Sequence, residues 1–464
     1  MRESVRIAGV QGFYGDSPLG AIQVVAAGAA DFLVMDALAE LTLSILQKDR
    51  MRDPSLGYAR DIEWLAANLM PAAFTKGIRI VASSGGLNPG SAAEKVCNIL
   101  KAKGLSGIKI GVVTGDDMLG RLDELQAGGE RLNHLDTGAP FSTSSLPVTH
   151  ANVYTGSASV AEALDQGAQL VLTGRVADPC LSLGILIHSF GWKEGDGLRQ
   201  ADLDLLASGI AVGHLLECGG QASGGNSYAE WPMPYRISDL GYPIAEVFPD
   251  GHALFSKVES AGGKMSRNTL REQLVYEIHD PAAYVTPDVV VDFSELQISG
   301  EPDGRVRVEG ARGKPRPEKL KLAIGQMEGY MSDQFLFFSW PHAYEKARMF
   351  EKAAREIWAG LPFALDDIEI RFIGINGIHG DAAPMPDAAW LAEMNEIGVR
   401  LAFRHTDPKA GKKAIQSLYC LALNGPPGNV GVPGWGNIAR AQLSLWPSLI
   451  DRKWVSSQLE ILSI

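Results

Sequence analysis

The stretch Asp31-Phe-Leu-Val-Met-Asp36-Ala-Leu-Ala-Glu40-Leu-Thr-Leu-Ser-Ile-Leu46 decides how the chain folds. Its first part is a short apolar run of strand length, and its second part has helix composition with helical periodicity. A carboxylate, Asp36, stands at the junction. Asp36 and Glu40 lie four apart, so they share a face if the helix has already begun. The same unit recurs on both sides. Residues 5–10 form a β-branched run ending at Gly9-Val-Gln-Gly12-Phe-Tyr-Gly15-Asp16, with a helical stretch over 21–30. Residues 77–84 end in Gly85-Gly86-Leu87-Asn88-Pro89 before a helix over 92–102. Residues 108–114 end in Gly115-Asp116-Asp117. After a helix over 160–166, residues 170–173 run into Gly174-Arg175 and Ala177-Asp178-Pro179.

Short strands alternating with helices of ten or more residues imply βαβ units and a mainly parallel sheet. The fold expected is α/β, with the parallel sheet in an N-terminal domain over 1–215. Ligands of such sheets bind outside the carboxyl ends of the strands. Here those ends carry Asp16, Asp36, the Gly85-Gly86-Asn88 turn, Asp116 with Asp117, and Arg175 with Asp178. Asp, Asn and Gly are also ordinary turn residues. Five successive ends so equipped favour a functional rim over five unrelated turns.

The texture changes after residue 228. Asp250-Gly251 marks a hairpin, Ser266 an N-cap, and 289–293 a strand, giving a mixed α/β region over 216–318. Residues 319–464 read as a C-terminal α+β region with a helix over 344–359. Proline- and glycine-rich loops at Trp231-Pro-Met-Pro-Tyr235 and around Trp435 suit an interface, so a homo-oligomer is expected.

With 464 residues the chain exceeds one core, and 46% hydrophobic with 21% charged residues is ordinary globular composition. No apolar run approaches the ~18 residues that span a bilayer. The N-terminus enters a strand with no signal-like region, so a cytoplasmic protein is expected. Cys97, Cys180, Cys218 and Cys420 are widely spaced and read as reduced thiols. A net charge of −12 without a basic cluster excludes nucleic acid as a partner. The spacing of Gly9, Gly12 and Gly15 is not the dinucleotide fingerprint, so no NAD is expected.

The other chemical stretch is Gly213-His214-Leu215-Leu216-Glu217-Cys218-Gly219-Gly220-Gln221-Ala222-Ser223-Gly224-Gly225-Asn226, read as a loop after a helix over 201–210. Glycine density marks a backbone that turns sharply or admits a close approach. Three chemistries compete. Asp16, Asp36, Asp116, Asp117 or His214 are oxygen and nitrogen donors for a divalent metal, which stays open. Cys218 is a nucleophile if His214 serves as its base. Favoured is anion recognition with acid/base work, in which Arg175 clamps a carboxylate, the Gly85-Gly86 turn offers N–H groups, and Glu217 or an Asp moves a proton. The expected catalytic residues are Asp117, Glu217 and Cys218. The expected substrate-binding residues are Asp16, Asp36, Gly85, Gly86, Asn88, Asp116, Arg175, Asp178, His214, Gln221, Gly224 and Gly225.

The ordered series Asp36-Ala-Leu-Ala-Glu40-Leu-Thr, Gly85-Gly-Leu-Asn-Pro89, Thr114-Gly-Asp-Asp117, Thr173-Gly-Arg-Val-Ala-Asp-Pro179, Gly213-His-Leu-Leu-Glu-Cys-Gly-Gly-Gln221 and Glu272-Gln-Leu-Val-Tyr-Glu-Ile278 resembles the acyclic terpene utilisation family, AtuA, from about residue 5 to about residue 450. The resemblance implies a catabolic role on a small branched carboxylic acid or its acyl-CoA thioester. The sequence lacks a P-loop and a G-x-S-x-G elbow. It offers the equipment for proton abstraction beside a carbonyl, so a hydratase or dehydratase-type lyase is expected. The alternative is a non-catalytic ligand-binding or accessory subunit of an acyl-CoA enzyme complex.

Overall fold

The computed structural model describes residues 2–142, 146–431 and 439–464. Trp435, one of the loop aromatics expected at an interface, lies outside the described residues. The chain divides into two compact units, the first made of residues 1–143, 148–325 and 445–464, the second of 144–147 and 326–444.

In the first unit the strands are β1 (Val5–Gln11), β2 (Phe32–Met35), β3 (Arg79–Ala82), β4 (Lys109–Thr114), β5 (Val148–Val153), β6 (Leu170–Thr173), β7 (Ile244–Val247), β8 (Ala253–Ser256), β9 (Tyr284–Val285), β10 (Val290–Asp292), β11 (Gln297–Gly300), β12 (Val306–Glu309) and β13 (Arg312–Lys314). The long β14 (Lys319–Ser339) follows, and β18 (Arg440–Asp451) and β19 (Gln458–Ser463) come last, after β15 (Asp366–Ile373), β16 (Glu396–His405) and β17 (Asn429–Gly431) of the second unit. Ten strands make one sheet in the order β11-β12-β8-β7-β1-β2-β3-β6-β4-β19. Its centre, β1-β2-β3-β6-β4, is parallel, as the βαβ rhythm requires. The antiparallel hairpin β7–β8 joins it through β1, and β19 closes the other side against β4. The strands expected in a separate middle region thus extend the same sheet, because β7 finds its hydrogen-bond partners on β1.

Period-two alternation divides each central strand between two cores. Val5, Ile7, Phe32, Val34, Val81 and Val171 face one, while Ala8, Val10, Leu33, Met35, Ile80 and Leu172 face the other. The second core is covered by α1 (Leu19–Ala27), α3 (Asp61–Asn68), α4 (Met70–Thr75) and α5 (Pro89–Ala102), with α2 (Glu40–Arg52) between β2 and α3. After α6 (Leu122–Ala127), α7 (Ala158–Asp165), α8 (Asp178–Phe190) and α9 (Gln200–Glu217) cover the first core, and α10 (Arg267–Leu274) packs on α9. Helix α8 is apolar nearly all round, as a helix enclosed on every side must be.

The expected loop over 213–217 is helix. Gly213 makes this possible, because a Cβ there would lie 2.3 Å from the Pro179 carbonyl oxygen. The glycine lets α9 cross α8 at backbone contact and carry His214 and Glu217 onward in helical register. In the second unit β15-β16-β14-β17 form an antiparallel sheet covered by α11 (Ala343–Ala359), whose Ala347, Phe350, Ala354 and Trp358 are buried. Among the described residues no helix is long and apolar enough to cross a membrane.

Candidate functional site

At the end of β2, Asp36 enters the interior because its acceptors are met locally. Its Oδ1 accepts from the Leu38 N–H at 3.1 Å and from the Ser83 hydroxyl, at the end of β3, at 2.8 Å. Burial pushes this carboxyl well above the usual range, with Asp178 adding to the effect and Arg175 opposing it.

Arg175 follows β6 and is 1% exposed. Its turn is shaped by Asp116 at the end of β4, whose Oδ2 accepts from the Arg175 N–H at 2.9 Å and from the Asn152 amide at 2.7 Å. Residue 174 has to be glycine, since a Cβ would sit 2.2 Å from Asp116 Oδ1. The Arg175 Nη1 donates to the Leu38 carbonyl at 2.7 Å and to Asp178 Oδ1 at 2.5 Å, and the guanidinium lies 4.1 Å from the Tyr154 ring centre. Its Nε is buried and has no hydrogen-bond partner among the described residues. Burial works against the charge of Arg175, and Asp178, Tyr154, Asp36 and Glu40 more than restore it. Around this cation stand Glu40, which accepts from the Tyr154 hydroxyl, and Lys321, 3.0 Å from Glu40 Oε1. Burial alone would raise Glu40, but the Tyr154 hydrogen bond and the charges of Lys321 and Arg175 take it down to about 2.

A second group forms at the end of α9. His214 Nδ1 lies 2.8 Å from Glu217 Oε1, and His214 Nε2 lies 3.1 Å from the Leu274 carbonyl. A carbonyl only accepts, so Nε2 carries a proton. A further proton then bridges Nδ1 and the carboxyl, held by one or the other. Burial pushes Glu217 up to about 7 against the pull of His214. Burial opposes the charge of His214, and Glu217 raises its value overall. Glu217 Oε2 is buried and has no hydrogen-bond partner among the described residues. The carboxylate of Asp178 bears electrostatically on both Arg175 and Glu217, which links the two groups.

An open cavity of about 310 Å³ adjoins this second group through Cys218 and is lined by Asp16, Gln221, Gly225, Leu240 and Tyr242. Asp16 is held by the Gly12 N–H at 2.9 Å and the Tyr242 hydroxyl at 2.6 Å. Gly224 is turned to Tyr235, whose hydroxyl donates to its carbonyl.

Asp36, Asp116, Arg175 and Asp178 therefore converge, as do His214, Glu217 and Cys218, while Asp16, Gln221 and Gly225 share the cavity wall. Four expected roles meet other geometry. Asp117 has a side chain 44% exposed, caps the Leu119 N–H at 2.9 Å and faces Arg50 at 3.7 Å, outside the buried cluster. Asn88 is the N-cap of α5, and its amide donates to the Pro54 and Leu56 carbonyls. In the Gly85-Gly86 turn the N–H groups of Gly86, Leu87 and Asn88 go to the carbonyls of Ser83, Gly57 and Gly85, which leaves none of these three for an anion. Both ring nitrogens of His214 are engaged by groups other than Cys218, and burial, followed by the charge of Glu217, keeps that thiol protonated. Asp36 and Glu40 meet around Arg175 across a loop, since α2 begins only at Glu40.

Ser83, Tyr154, Lys321 and Glu40 complete the cluster without having been singled out as site residues. The one signal for Tyr154 is that it ends the strand-like run 148–154, which lies outside the regular βαβ alternation. Among the described residues no three or more His, Cys, Asp or Glu side chains are grouped to hold a metal ion.

A family model described as "Acyclic terpene utilisation family protein AtuA" matches residues 5–461. No curated protein and no solved structure matches the chain.

Proposed function

The chain belongs to the acyclic terpene utilisation family AtuA, and from that premise we propose that it is a catabolic lyase of hydratase or dehydratase type acting on a small branched hydroxy or carboxylic acid or its acyl-CoA thioester. The observation that carries this reading is the buried His214–Glu217 pair. It shares a proton across 2.8 Å, its carboxyl is pushed up to about 7, and among the described residues one of its oxygens has no hydrogen-bond partner. A carboxyl so tuned both accepts and returns a proton near neutral pH, which is what abstraction of hydrogen beside a carbonyl requires. Arg175, paired with Asp178, and Lys321, paired with Glu40, are the cations that an acid group of the substrate would meet by exchanging with those carboxylates.

The test is hydrogen–deuterium exchange at the α-carbon of a panel of small hydroxy acids and enoyl thioesters, with and without a divalent metal. Exchange that is lost in Glu217→Gln supports the lyase. Binding of the same compounds with no exchange in the unaltered protein supports the accessory-subunit reading.

A further inference from the structure

Abstraction of an α-proton leaves an electron pair on the carbonyl oxygen, and the His214–Glu217 pair offers nothing to stabilise that charge. The structure holds a free donor beside the pair. We propose that the Tyr284 hydroxyl is a catalytic residue that donates a hydrogen bond to the developing oxyanion; this rests on the reading of the site as a proton-transfer centre.

Tyr284 is fixed by β9, where it pairs with Val291 of β10. Its ring centre lies 5.2 Å from that of His214 and 5.5 Å from that of Phe293, and Phe293 stacks on His214 at 6.2 Å. The three rings form a wedge against the imidazole that positions Glu217. Other tyrosines of this region spend their hydroxyls on carboxylates, Tyr154 on Glu40 and Tyr242 on Asp16. Among the described residues no atom hydrogen-bonds the hydroxyl of Tyr284, and it is not among the sealed polar atoms. Tyr284 is only partly buried, so its hydroxyl, next to the tuned carboxyl, is open to a ligand. Burial first, then the neighbouring Glu217, Asp178, Cys180 and Cys218, hold this phenol well above its ordinary value. It is a donor throughout the range in which Glu217 titrates.

In the step, the C–H bond beside the carbonyl breaks and its proton goes to the Glu217 carboxylate. The electron pair moves into the carbonyl group, and the oxygen accepts the Tyr284 hydrogen bond without taking the proton. The reverse step returns a proton, or a deuteron from solvent, to carbon.

Tyr284→Phe keeps the ring wedge and removes only the hydroxyl. In the full chain its kcat for α-exchange is expected to fall about 10²–10³-fold with KM little changed. Its affinity for oxalate, a planar mimic of an enolised acid, is expected to drop about tenfold by calorimetry. Unchanged kcat, or equal oxalate affinity in both proteins, overturns the assignment. If the unaltered protein exchanges no α-proton, the lyase reading fails and the oxalate comparison alone decides Tyr284. Absence of oxalate binding to the unaltered protein then counts against it.

Discussion

Glu217 Oε1 lies 2.8 Å from His214 Nδ1, one helical turn away, while the opposite face of that imidazole is anchored on the Leu274 carbonyl. Burial raises the carboxyl to about 7 and Glu217 raises the ring in turn, so the pair takes up and releases its shared proton near neutrality.

This relationship fixes a pH dependence. The folded-state value of Glu217 stands above that of an ordinary carboxyl, so its contribution to stability is complete below about pH 4.5 and is lost as pH rises through about 7. His214, also raised, adds in the same direction. Denaturant unfolding is expected to show stability falling between pH 5 and 8 in the unaltered protein and falling less in Glu217→Gln. Exchange activity has the opposite slope, rising with pH as the carboxylate forms and levelling off above about 7.

Gly213→Ala adds a good helix former, worth about 1 kcal/mol in an open helix. Here the new Cβ meets the backbone of α8, with Pro179 O at 2.3 Å. Net destabilisation of about 1–3 kcal/mol is expected from chemical melts, together with loss of exchange activity as His214 and Glu217 shift.

Arg175→Met leaves Asp36, Asp178 and Glu40 facing each other without their shared cation. Removing one partner of such a buried group costs about 3–5 kcal/mol. The deficit is expected to shrink as pH falls and the carboxyls take up protons. Urea midpoints at pH 4.5 and pH 7.5 measure this, and an equal deficit at both would contradict it.

Asp117→Asn is expected to change stability by less than about 0.5 kcal/mol and to leave α-exchange intact, because its carboxylate faces Arg50 and solvent. Asp178→Asn, by contrast, alters the field on both Arg175 and Glu217 and should shift the pH at which exchange levels off.

Trp231 is 72% exposed on the segment expected to form an interface, and Tyr228, just before it, is 88% exposed. Light scattering at micromolar concentration is expected to give a multiple of 49.7 kDa, reduced in Trp231→Ser.

The parallel centre of the sheet was legible because β-branched runs and glycine turns recur, and each run really ends in the residue that the pattern marks. Asp36, Asp116 and Arg175 could be placed on one rim for that reason. The sequence reading went astray where tertiary packing overrides local signals. Gly213 looks like a loop residue and is a helix contact, because the reason for the glycine lies on α8, far away in sequence. Likewise β19 has weak strand character and takes its conformation from β4. Within the site, strand ends named the residues that turn the chain, while Tyr154, Lys321 and Tyr284 come from elements outside the βαβ series. Periodicity within one segment carries no information about which distant segment it will meet.

The pairing of β19 with β4 also has a consequence for synthesis on the ribosome. Strand β4 emerges early, and its outer edge waits through the whole interval from Thr114 to Gln458 before its partner exists. An unpaired edge beside an apolar core is a template for association with other nascent chains. Folding yield in the cell should therefore depend on something that shields that edge, a holding chaperone or slow elongation, until the last strand is released.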